Sequence, residues 1–104
     1  MKKLIALVTL LSITSVCFAY QPPVTSYYTN GADVVAITLD PSSGFLFMNV
    51  NNMYSFVFSS TGADANGFHW HCDQFGDLLF SRDTTILVAY EYSSCQTLYF
   101  TLMN

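Results

Sequence analysis

The chain is poor in charge, and poorest in positive charge. Only 10% of its 104 residues are charged, with three basic side chains against seven acids. Lys2 and Lys3 lie at the extreme N-terminus, so the body of the chain holds one basic residue, Arg82. Nucleic-acid binding relies on Lys and Arg to neutralise phosphates, and a single Arg cannot do that. Attraction to anionic lipid is excluded on the same ground. There is no Cys-x-x-Cys, so a redox motif has no support. There is no Gly-x-Ser-x-Gly either, so nothing local points to a nucleophilic serine. Internal repeats, coiled-coil heptads and low-complexity runs are also missing.

What is present begins with "MKKLIALVTLLSITSVCFA" at residues 1–19. Two lysines, an apolar run from Leu4 to Ile13 and a small residue at Ala19 have the layout of a cleaved secretory signal. The run is short and N-terminal, which argues against a membrane span. Lipidation at Cys17 is the weaker alternative, because Val16 is bulky for the position before a lipidated Cys. The expected location is secreted or periplasmic. Cleavage leaves residues 20–104 as one small domain, with Arg82 alone against all seven acids, a net charge of −6. Sixteen Phe, Tyr and Trp residues remain in it, more than so small a domain can hide.

Small extracytoplasmic domains commonly use disulfides, and Cys72 and Cys95 are the expected pair. A bridge between them closes a loop of about 24 residues and is worth roughly 3 kcal/mol in chain entropy. A reactive thiol pair and metal ligation are the alternatives.

Pro22 and Pro23 predict an extended N-terminal arm over residues 20–31, and the remaining residues 32–104 form the domain proper. "VVAITL" at 34–39, "FLFMNV" at 45–50 and "MYSFVFS" at 53–59 alternate like strands. "DPSSG" at 40–44 and "NN" at 51–52 are turns between them. "TTILVAYEY" at 84–92 and "TLYFTLM" at 97–103 are two further strands. The loop "STGADANG" at 60–67 is rich in breakers.

The stretch "GFHWHCDQFGDLLF" at 67–80 holds both histidines, the only Trp and one Cys. As a strand it places Phe68, Trp70 and Cys72 on one face, His69 and His71 on the other. As a helix it aligns Phe68, Cys72, Phe75 and Leu79 at i, i+4, i+7 and i+11, with Asp73, Asp77 and Ser81 away from that stripe. One strand of this length is too long for a small sheet, so the spacing predicts a helix. Gly76 inside it costs about 1 kcal/mol relative to Ala. The element order is then three strands, a helix and two strands, which is the mainly β, OB-like five-stranded barrel.

The segment "FGDLLFSRDTTILVAYEY" resembles the helix-turn-strand of the pentameric binding subunits of subtilase-type bacterial toxins, and of small secreted bacterial proteins with that layout. The likeness covers about residues 45–103. Val57 stands where those relatives often have a Cys, and Arg82-Asp83 where their turn usually holds a Gly. No sugar-binding residue carries over. The resemblance implies a non-enzymatic recognition subunit for a glycan or a protein, built as a homo-oligomer.

Neither geometry of 67–80 brings His69, His71 and Cys72 together, so no metal site is expected. No cofactor is expected either, and no catalytic residue. Asp73 and Asp77 share a wet face and read as solvated acids. On the helix, Trp70 and Phe80 lie outside the apolar stripe and are the expected interaction surface. The functional expectation is a binding module; the alternative is an envelope-associated structural protein without a soluble ligand.

Overall fold

The computed structural model describes residues 22–103. The signal expected at 1–19, with the processing site expected at Ala19, lies outside the described residues. The chain forms eight antiparallel strands: β1 (Val24–Thr29), β2 (Val34–Asp40), β3 (Phe45–Val50), β4 (Tyr54–Asp64), β5 (Gly67–Cys72), β6 (Gly76–Phe80), β7 (Ile86–Glu91) and β8 (Gln96–Leu102). Each strand pairs with the next in sequence, and β8 returns to β1, which closes the barrel.

The mainly β, barrel-forming character expected from the sequence is present. The OB-like arrangement of five strands with one helix is not. Residues 24–29 of the expected arm are a strand, and the expected helix is the β5–β6 hairpin, in which Phe68 pairs with Phe80 and Cys72 with Gly76. Two glycines explain why the hairpin wins. Gly67 and Gly76 have φ of 140° and 146°, far from any helical value. A Cβ at Gly67 would overlap the carbonyl oxygen of Phe80, and one at Gly76 that of Tyr90. Each therefore lets a neighbouring strand approach where no side chain fits. The turn closes when the Phe75 amide donates to the Cys72 carbonyl at 3.2 Å.

Strand alternation then sorts the residues. Val35 and Ile37 on β2, Leu46 and Met48 on β3, and Leu87 and Ala89 on β7 point inward and are buried. No polar or charged side chain is buried among the described residues. Eight strands enclose a space that side chains can fill, or that can hold one small ligand. Here Phe58, Met48, Leu78, Leu87 and Val35 fill the middle.

Closure is shortest at the seam. β1 and β8 share two residue pairs, Tyr28 with Leu102 and Thr29 with Thr101, and the Met103 amide donates to the Tyr27 carbonyl at 2.8 Å. The start of β1 runs past the end of β8. That end of the barrel also carries the β2–β3, β4–β5 and β6–β7 turns.

Candidate functional site

The end of the barrel beside the seam is an open apolar mouth of about 320 Å³. Inward positions near the ends of β1, β2, β5 and β6 line it, among them Val24, Leu39, Phe68, Trp70 and Phe80. The outer surface expected for Trp70 and Phe80 is therefore corrected. Phe80 is buried, and Trp70 is half-buried and packed against the core. On a strand these two residues share the inward face with Phe68 and Cys72. The mouth is nearly all hydrocarbon. Its hydroxyls come from Ser26, Tyr28 and Thr84. The Tyr28 hydroxyl already donates to the Thr84 carbonyl at 2.6 Å. Burial raises the Tyr28 pKa, against the lowering effect of that bond.

Arg82 stands on the rim, in the β6–β7 turn. Its guanidinium carbon lies 5.5 Å from the centre of the Phe68 ring, within reach of a cation–π contact. Its Nη1 donates to the Asp64 carbonyl at 2.8 Å. The same turn is organised by Asp83, whose Oδ1 accepts from Ser81 Oγ, the Thr85 amide and Thr85 Oγ1 at 2.7, 3.1 and 2.7 Å. These bonds, those of Thr85 first, hold the Asp83 pKa down to about 2.

The opposite end has a second concavity of about 370 Å³, with Asp33, Gln74 and Glu91 among its lining. Phe75, in the β5–β6 turn, folds back over it and packs on Phe56 and Phe58, with ring centres 5.2 and 5.8 Å apart.

Both histidines face outward. His69 Nε2 lies 3.0 Å from Asp64 Oδ2. His71 is held between two carboxylates, with Nδ1 2.8 Å from Asp77 and Nε2 2.7 Å from Asp73. The Tyr92 hydroxyl donates to the other oxygen of Asp77 at 2.9 Å. The bonds to Asp77 and then Asp73 raise the His71 pKa, and the bond to Asp77 raises that of Tyr92. Cys72 points away from both histidines into the barrel. Among the described residues no three such side chains are placed to hold a metal ion.

The expected disulfide is also corrected. Cys72 and Cys95 are free thiols, one buried and one exposed. Cys72 pairs with Gly76, Gly76 with Glu91, and Glu91 with Gln96. The two cysteines thus stand about three strand spacings apart, or ~14 Å along the sheet. A disulfide needs a Cα separation below about 7 Å.

The mouth is not visible in the sequence because Pro22 and Pro23 predict an arm at β1 and the 67–80 spacing predicts a helix at β5. The available signal was alternation in "VTSYYT", where Ser26 and Tyr28 share a face with Val24. No protein family matches the chain, and no curated protein or solved structure matches it.

Proposed function

We propose that the protein is a non-enzymatic extracytoplasmic binding module whose site is the mouth beside the seam, and whose ligand is a small apolar molecule. The observation that carries this reading is the seating of Trp70 and Phe68 in an open, nearly all-hydrocarbon cavity at one end of a barrel whose middle is filled. Binding sites are concave, mostly apolar, and carry a few polar groups that orient the ligand. A glycan would need many hydrogen bonds, and this mouth offers few hydroxyls. A catalytic role has less support. Both ring nitrogens of His71 are engaged by carboxylates, which leaves neither free as a base.

The barrel does not have the character of a membrane-spanning one. Transmembrane barrels have polar interiors and strands of about 9–11 residues. This interior is apolar, and every strand but β4 has five to seven residues. No described helix is long and apolar enough to cross a membrane.

A second reading is a protein-recognising subunit of an oligomer, as in the toxin-type assemblies. It has its own observation. Phe47 and Val57 are register partners on the outer surface, and both are exposed. Sedimentation of the mature protein tests it, and a defined oligomer would favour it.

The test of the first reading uses Trp70 as reporter, since it is the only Trp in the chain. Decanol should change its emission saturably at one molecule per chain. Leu39→Glu, which places a charge at the mouth, should abolish the response and leave the circular dichroism unchanged. An unsaturable response, or one indifferent to Leu39→Glu, overturns the reading.

A further inference from the structure

We infer that the ligand of the mouth is a single-chain amphiphile with an anionic head, its hydrocarbon lying against Trp70 and its head on Arg82. The inference rests on the mouth being the binding site. Four observations converge on it.

Arg82 is the only basic side chain, histidines aside, among the described residues, and seven acids accompany it. Yet it makes no ion pair with any of them among the described residues. Its one hydrogen bond goes to a backbone carbonyl, and a guanidinium has five N–H donors.

The acids nearest to it in the turns of that rim are already engaged. Asp64 faces His69, Asp83 holds its own turn through Ser81 and Thr85, and Asp40 accepts from Ser42 and Ser43. Arg82 is thus an unpaired cation held over Phe68, an aromatic wall of the mouth. An anionic head there would meet donors of matching geometry.

Charge also distinguishes the two ends. The far end carries Asp33, Asp73, Asp77 and Glu91 with no Lys or Arg, whereas the mouth rim sets Arg82 beside Asp40, Asp64 and Asp83, so the far end is the more negative of the two. Any anionic ligand is therefore directed to the end that bears Arg82.

Size sets the chain length. A cavity of 320 Å³ holds roughly ten water-sized groups of about 30 Å³ each. That suits a chain of about ten carbons extending from the rim.

The experiment compares decanoate, decanol and decyltrimethylammonium by Trp70 emission at low salt, in the full mature chain. Decanoate should bind about five-fold tighter than decanol, the scale of an exposed ion pair, and the cation more weakly than either. High salt should erase the difference. Arg82→Gln should bring decanoate to the affinity of decanol, and Arg82→Lys should keep part of the preference. Circular dichroism of both variants checks that the fold is retained. If all three amphiphiles saturate with equal affinity, or Arg82→Gln leaves the preference intact, the anionic head is wrong while the mouth stands. If none saturates, the mouth reading fails and this inference with it. A response to vesicles of anionic phospholipid at lower lipid concentration than to decanoate would replace the free amphiphile with a lipid surface.

Discussion

Trp70 on β5 and Leu78 on β6 are direct cross-strand partners, and both side chains enter the barrel. Leu79, the next residue, pairs with His69 and faces outward. This alternation separates the hairpin from the helix that the spacing of Phe68, Cys72, Phe75 and Leu79 predicts. In the helix Leu79 is the last member of the buried stripe and Leu78 lies beside it.

Truncation should therefore hurt at Leu78 and not at Leu79. Leu78 is 1% exposed, and Leu78→Ala should cost about 2–5 kcal/mol as a buried cavity. Leu79→Ala should cost about 1 kcal/mol or less, as at a surface position. Urea unfolding midpoints of the two variants decide it. A larger loss at Leu79 would restore the helix.

How much of this was legible in the sequence depended on whether a segment carried one period or two. β2, β3, β7 and β8 alternate cleanly, and their bounds follow from the residues. Asn51 and Asn52 adopt positive φ, 53° and 60°, as a tight turn requires and as Asn tolerates. Residues 67–80 fit both periods, because the apolar positions of a short hairpin can coincide with a helical stripe. Gly76 was the decisive signal. A helix only tolerates it, while the hairpin requires it. "STGAD" predicts a loop because it is polar and rich in breakers, yet it continues β4 to Asp64. Lateral hydrogen bonding to β5 outweighs weak intrinsic strand propensity there. Closure by β1 was hidden by Pro22 and Pro23, which end just before the strand starts.

The thiols should titrate by position. Without reductant, a chain of residues 20–104 should show one reactive thiol when native, Cys95, and a second, Cys72, only after unfolding. Burial of Cys72 inside the barrel, where Sγ donates to Gln74 at 3.4 Å, is the reason. No thiol after unfolding would mean a bridge, and would require β6 and β7 to be displaced from between the two turns.

Phe75 closes the end away from the mouth and is 7% exposed. Phe75→Asp places a carboxylate against Phe56 and Phe58, with Glu91 at the same end. An unpaired charge there should cost several kcal/mol, comparable with the stability of a small domain. The variant should be unfolded by circular dichroism. A folded variant would show that the turn is free to swing away from the barrel.

Two side chains at opposite ends should give the stability profile opposite slopes in pH. Asp83 falls from an ordinary 3.8 to about 2 in the folded chain, chiefly through its bonds to Thr85. Its contribution is present above 3.8 and is lost as pH falls through about 2. His71 is raised above its ordinary 6.5 by Asp77 and Asp73. Its contribution is present below 6.5 and is lost as pH rises through the folded value. The melting temperature should therefore be highest between about 4 and 6.5 and fall on both sides. Asp83→Asn should lower it above pH 4 and shrink the acid-side fall. That fall should not vanish, because Asp40 and Asp64 are also lowered, by Ser42 and His69 first. His71→Gln should flatten the alkaline side below the tyrosine range alone, while a fall above about pH 10 should remain, because Tyr28, Tyr90 and Tyr92 are also raised. Both groups are exposed, so the slopes should weaken with added salt. A fall between about pH 6.5 and 10 that persists in His71→Gln would assign it to another group and remove His71 from the account.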